Sequence, residues 1–214
     1  DLHSFPTRRS SDLNLCLYLT TQVLEAGCPV VVGLNMCDLL KERGDVVDTK
    51  KLSQMLGVSV LEVSALRNTN LDELVKSGIE AAKKGDAPGG VSCFSPVVEA
   101  ALEAISAAIK DKCKPELVRW YSIKLFERDA DAIKALGLSS DELASLEGHI
   151  ASVEKERDDD SESIITSDRY DWIATVMDAC VKKAPKTLTR SQQDRKSTRL
   201  NSSHQALARM PSSA

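Results

Sequence analysis

Two polar residues, Asn35 and Asp38, stand three apart at the end of an apolar run, Pro29-Val30-Val31-Val32-Gly33-Leu34. An ionised carboxylate only accepts hydrogen bonds, and guanine presents two neighbouring donors, the ring N1–H and the exocyclic amine. Adenine does not match that pattern. Asp38 is therefore a candidate acceptor for guanine, while Asn35, which carries a donor and an acceptor, can reach the other edge of the base and brace neighbouring loops. Taken alone, Asn-x-x-Asp equally fits a strand-ending turn with an Asx cap.

Three β-branched residues in succession within the Pro29–Leu34 run predict a strand buried on both faces, as in a parallel sheet flanked by helices. The crevice beyond the carboxyl end of such a strand is where open α/β sheets bind ligands. Upstream, Leu15, Tyr18, Leu19 and Val23 lie at helical spacing, with Gly27 as C-cap. Downstream, Thr49 to Gly57 reads as a short helix closed by glycine. It leads to a second apolar run, Val58-Ser59-Val60-Leu61-Glu62-Val63, ending in Ser64-Ala65-Leu66. In guanine-nucleotide-binding proteins a Ser-Ala-Lys-like turn at this distance gives backbone N–H groups to the guanine oxygen, and the pair of motifs is more specific than either half. Asn70 with Glu73 then predicts a capping box for a helix carrying Leu71, Leu74, Val75, Gly78, Ile79 and Ala82.

The segment from Gly85 to Gly90 reads as a linker, and beyond it only helices are expected. Ser95-Pro96 starts one, with Val98, Ala101, Leu102, Ile105, Ala108 and Ile109 on one face. Pro115 starts another, bearing Leu117, Val118, Tyr121 and Leu125. Ser139 and Glu142 form a capping box before Leu143, Leu146, Ile150 and Val153. Ser167 is the expected cap of a last helix on which Tyr170, Ile173, Ala174, Met177 and Val181 share a face. The elements thus predict an α/β domain followed by an all-α helical bundle, mostly helical overall. The aromatic residues Trp120, Tyr121, Tyr170 and Trp172 are expected in its core rather than in a partner groove, and the acidic run Asp158-Asp159-Asp160 in a solvated loop.

With 214 residues, 42% hydrophobic and 28% charged, the composition is that of an ordinary soluble globular protein. No stretch approaches the ~18 apolar residues of a membrane span. Six cysteines show no Cys-x-x-Cys pair and no zinc-like spacing to histidine, so no metal site is assigned. Cys16, Cys28 and Cys180 are expected as buried free thiols. The ends, 1–13 and 194–214, are Ser/Arg-rich without sustained period, are expected to be disordered, and resemble translated sequencing-library adapter. They are neutral and +3 respectively, which leaves −7 of the net −4 charge on 14–193. So acidic a body argues against nucleic acid as a partner.

The order Asn14-Leu15, Tyr18-Leu19-Thr20-Thr21-Gln22, the Pro-Val-Val-Val strand, Asn35-Met36-Cys37-Asp38 and the Ser64-Ala65 turn resembles the cytosolic G domain of ferrous iron transport protein B. Lys124-Leu125-Phe126-Glu127 and Arg169-Tyr170 resemble that family's helical domain. The resemblance covers roughly 14–193, dividing into half a G domain (14–84), a linker (85–91) and a helical domain (92–193). It implies that the α/β part is a partial P-loop GTPase-like domain, that Asn35, Met36 and Asp38 recognise guanine and that the Ser64-Ala65-Leu66 backbone completes the cradle. It further implies a parent that binds and hydrolyses GTP with Mg²⁺, regulates ferrous iron uptake through a permease domain of the same chain, and sits on the cytoplasmic face of the bacterial inner membrane. Asn68 and Asn70 depart from the glycines usual in the family; Asn tolerates the left-handed conformation they need better than most residues.

Phosphate handling in this class needs Gly-x-x-x-x-Gly-Lys-[Ser/Thr], a Mg²⁺-holding Thr and Asp-x-x-Gly. In the family these lie upstream of Asn14; none occurs in this sequence, which is expected to be truncated at its start and at its end. A base site alone is expected to bind on the order of millimolar at best. No measurable GTP hydrolysis is expected of this chain; turnover above a blank that disappears in Asp38→Ala refutes that. Two other functions fit the residues: a helical interaction module on an α/β scaffold, and a small GTPase unrelated to iron.

Overall fold

The path of the chain explains which residues become core. In a computed structural model, residues 9–35, 46–85 and 92–182 are described. Helix α1 (Arg9–Glu25) leads through Gly27 into strand β1 (Val31–Leu34). A two-residue strand β2 (Val46–Val47), helix α2 (Thr49–Leu56), strand β3 (Ser59–Glu62) and helix α3 (Leu71–Lys84) follow. Then come α4 (Pro96–Ile109), a 3₁₀ turn (Pro115–Leu117), α5 (Val118–Phe126), α6 (Ala130–Leu136), α7 (Ser140–Arg157), α8 (Ser161–Cys180) and the short strand β4 (Val181–Lys182). Helix α1 takes in residues 9–13, which the sequence places in a disordered stretch. Helix α6, seven residues closed by Gly137, carries too little apolar period to be read in advance.

β1 and β3 pair in parallel, with Val32 opposite Val60 and Leu34 opposite Glu62. Such pairing requires a crossover. Here α2 supplies it, capped by Asp48, whose carboxylate accepts from the Lys51 N–H, and ended by Gly57 in the left-handed region. On one face of the pair, Val30, Val32, Val58 and Val60 pack with Leu17 and Leu24 of α1, Leu52 and Leu56 of α2, and Ile173, Val176 and Cys180 of α8. On the other face Leu74 of α3 lies against Gly33, where an added Cβ would come within 3.0 Å of its Cδ2. The expectation of a strand buried on both faces is not met: Val31, Val32 and Leu34 are half-buried and Gly33 is exposed, because the described pair has two strands and two edges. Helix α3 forms as the spacing predicts, yet none of its residues is fully buried, and Val75 and Ile79 stay exposed.

Of the second strand pair nothing is visible in the sequence. β2 runs antiparallel to β4, and the Asp48 N–H donates to the Cys180 carbonyl. The end of α8 is thereby fastened beside the start of α2.

The helical part builds its own core from Val98, Leu102, Ile105 and Ile109 of α4, Ile123 and Phe126 of α5, Leu146, Ile150 and Val153 of α7, and Ile164 and Ile165 of α8. The α4 and α7 faces are those the 3.6-residue period predicts, except that Ala108 is exposed and Leu143 only half-buried. Tyr121 and Trp172 pack against this core as expected, whereas Tyr170 is 46% exposed and stacks on Tyr18 at 5.1 Å. The last helix is capped by Asp160, accepting from the Ser163 N–H, and not by Ser167, which lies two turns inside it. Asp158, in the acidic run, ends α7 in the left-handed conformation. Cys93 and Cys180 are buried, but Cys16 and Cys28, expected inside, are exposed on the outer side of α1 and just after it.

Glu142 closes the capping box with Ser139 and also accepts from Lys112 at 2.9 Å. The Lys112 hydrogen bond first, and those from Ser139 next, hold its carboxyl down at about 2. A depressed carboxyl stabilises the fold fully above its ordinary value and loses that contribution as the pH falls toward the folded one. A side-chain NMR titration of Glu142 is expected to show a midpoint near 2; a midpoint above 4 contradicts the box.

Candidate functional site

Asn35 after β1 and the Ser64–Asn70 loop after β3 follow strand ends that parallel pairing sets side by side. Asn35 is the residue after β1. Its Oδ1 accepts the Ala65 N–H at 3.1 Å, a bond across thirty positions of sequence. Val63 extends the pairing by donating to the Leu34 carbonyl at 2.9 Å.

The loop after β3 is closed on itself. Ser64 and Thr69 exchange backbone hydrogen bonds at 3.2 and 3.0 Å, and the buried Ser64 hydroxyl accepts the Arg67 N–H at 3.3 Å. Between these ties Ala65 and Leu66 form the tip. The Leu66 side chain is 90% exposed, so any role of this residue in holding a base runs through its backbone. Asn68 and Asn70 both take positive φ, 52° and 57°.

Asn70 precedes α3 as expected, but it does not form the predicted capping box. Its own left-handed conformation turns the side chain away from the helix, and Nδ2 donates instead to the Glu62 carbonyl at 2.9 Å. The structure thus brings Asn35 and Ser64–Leu66 together. Met36 and Asp38 lie outside the described residues.

Helix α1, which leads into β1, is anchored to the helical part through residues that an apolar pattern cannot show. Glu25, in the last turn of α1, receives two hydrogen bonds from Arg169 of α8, at 3.2 and 2.7 Å. Arg169 is 2% exposed and also reaches Glu127 at 3.3 Å and the Tyr18 hydroxyl at 3.4 Å, with the rings of Tyr18 and Phe94 within 5.6 Å of its guanidinium. Burial alone would lower its basicity, but the hydrogen bonds and charge of Glu25 outweigh it and the net shift is upward. The Cys93 thiol, next to the same carboxylate, is pushed up to about 12 by burial and then by Glu25, and so stays protonated.

Comparison with known proteins follows the same division of the chain. Residues 9–78 match a family model described as ferrous iron transport protein B, and residues 94–182 match one described as the FeoB cytosolic helical domain. A crystal structure of an S. thermophilus NFeoB mutant bound to mGDP is 30% identical with a TM-score of 0.72, and the alignment covers 84% of this chain and 76% of that one. The chain belongs to the FeoB family. A second S. thermophilus NFeoB mutant, bound to GDP, is 33% identical with a TM-score of 0.76, covering 81% of this chain and 66% of its own. Among curated relatives, a Porphyromonas gingivalis Fe(2+) transport protein A/Fe(2+) transporter FeoB fusion protein is 30% identical over 188 residues, 80% of this chain. The chain spans 22% of that relative's length. It is a FeoB G-domain region joined to a FeoB helical domain, and among its described residues no helix is long and apolar enough to cross a membrane.

Proposed function

We propose that Asn35, Ser64, Ala65 and Leu66, with Met36 and Asp38, form the guanine-reading half of a nucleotide site. The observation that supports this reading best is the Asn35–Ala65 hydrogen bond. It braces Asn35, the first residue of the Asn-x-x-Asp motif, against the Ser-Ala loop, and so joins two motifs read separately in the sequence. The Ala65 N–H is shared between Asn35 and the purine oxygen in a three-centre bond. Asp38 then takes the ring N–H and the exocyclic amine. Base recognition of this kind makes the chain a part of the GTP-binding regulatory region of a ferrous iron transporter. The whole transporter couples GTP binding and hydrolysis, with Mg²⁺, to ferrous iron uptake through its membrane permease domain.

The test is a ¹⁵N-resolved NMR titration of the 214-residue chain with GMP and AMP in the millimolar range. Shifts at Ala65 and Leu66 with GMP alone, lost in Asp38→Ala, are the expected result. Equal response to both nucleotides, or a GMP response indifferent to Asp38→Ala, refutes it. Hydrogen bonds to a charged partner contribute ~1.5–3 kcal/mol each, so Asp38→Ala is expected to weaken GMP at least about tenfold.

A further inference from the structure

The tie between Asn70 and the Glu62 carbonyl is not explained by the start of a helix. An N-cap side chain ordinarily accepts from the second or third helical N–H. Asn70 instead points backward and donates to the strand that enters the loop. The residues between Glu62 and Asn70 are the guanine loop. One side chain therefore clasps the loop at its neck, and the Ser64–Thr69 bridge closes it just beyond.

The loop is then tied at three places, at two of them to a strand or the residue that follows one. Asn35 holds the tip from β1, the Ser64–Thr69 pair holds the middle, and Asn70 holds the base against β3. A positive φ of 57° is costly for most residues, and Asn is among the few that reach it readily. Glycine would satisfy the backbone at position 70 equally well, but it would carry no amide to reach Glu62.

We infer that Asn70 is a positioning residue for guanine recognition: its side-chain amide fixes the Ser64–Thr69 loop so that the Ala65 N–H is held ready for the purine oxygen. The inference rests on the guanine reading of the loop. It assigns to a side chain outside the base-contacting set a share of the affinity for the base. Without the clasp, the neck of the loop opens and closes, and binding must first order it. Because the amide touches only the backbone of this chain, its effect is on how well Ala65 is aimed, independent of which phosphates follow the sugar.

Two substitutions separate this role from a plain helix start. Asn70→Gly keeps the left-handed backbone and removes the amide. Asn70→Asp keeps the shape and replaces the donor by an oxygen that faces the Glu62 carbonyl. In the 214-residue chain, both are expected to weaken GMP binding roughly three- to tenfold in the NMR titration, the worth of one hydrogen bond. Amide hydrogen exchange at Ser64 and Thr69 is expected to speed up by a similar factor, while exchange in α4 and α7 stays as in the parent chain. Asn70→Gly that binds GMP as the parent chain does, with unchanged exchange at Ser64 and Thr69, overturns the inference and leaves the guanine reading standing. A parent chain that ignores GMP overturns both. Faster exchange throughout α4 and α7 as well would show a loss of global stability and would also overturn it.

Discussion

Replacing Arg169 by methionine is expected to cost about 3–5 kcal/mol of folding stability, because it leaves the Glu25 carboxylate buried without its partner. Glu25 is 6% exposed and Arg169 2%, so water cannot take the missing cation's place. A domain of this size holds only ~5–15 kcal/mol in reserve. Urea unfolding followed by circular dichroism measures the loss. The double substitution Arg169→Met with Glu25→Leu is expected to recover much of it, since replacing both charges by apolar groups of similar size is often neutral or better. A single substitution costing under about 1 kcal/mol, or a double no better than the single, contradicts the burial of this ion pair between α1 and α8.

The second large effect is at Gly27, the turn between α1 and β1. Its φ is +70°, and a Cβ there would stand 2.1 Å from the carbonyl oxygen of Glu116, at the 3₁₀ turn before α5. Two penalties add in Gly27→Ala: roughly 1–2 kcal/mol for a left-handed non-glycine residue, and about 1–3 kcal/mol for forcing the two backbones apart. Gly57, at the end of α2, supplies the control. It has nearly the same φ, +67°, with nothing within 4 Å of the added atom. Gly57→Ala is expected to show the backbone penalty alone. Equal melting temperatures for the two variants would mean that the helical part does not press on the turn leading into β1.

The sequence was most readable where apolar spacing governs packing. Val98, Leu102, Ile105 and Ile109 on α4, and the capping box of α7, are where period and cap chemistry place them. It misled on α1 and α8, for one shared reason. Of the apolar stripe expected on α1, Leu15, Leu19 and Val23 are exposed and only Tyr18 is half-buried, while the buried face is Leu17, Thr21, Leu24 and Glu25. Of the expected α8 face Ile173 is buried and Met177 and Val181 are half-buried, but Tyr170 and Ala174 are exposed, and the buried face runs on through Arg169, Val176 and Cys180. In both helices a polar group has been drawn into the interface because its partner waits on the other, and a hydrophobic count scores Glu25 and Arg169 as solvent-facing. The signal available was the pair itself: one acidic and one basic residue, each at the edge of an apolar face, 144 positions apart.

The candidate site divides in the same way. Ser64 and Ala65 are legible as a motif, and Asn35 as its brace, because the two motifs occur together one βα unit apart, a pairing more specific than either half. The clasp of Asn70 was not legible, since an Asn followed three residues later by Glu has the look of a capping box. The left-handed φ at position 70 is expected from the glycine usual there in the family, but the spacing of Asn70 and Glu73 does not show that the side chain then turns back to Glu62.

We propose that this chain reads guanine through one carboxylate, that of Asp38, and reversing the hydrogen-bond sense of that side chain is the decisive experiment. Asp38→Asn replaces an acceptor-only group by one that also donates, which suits a base bearing a carbonyl where guanine has its amine. Titrated side by side with GMP and XMP, the parent chain is expected to respond at Ala65 to GMP and Asp38→Asn to XMP. An unchanged preference for GMP in Asp38→Asn, or no preference in either chain, would contradict the account.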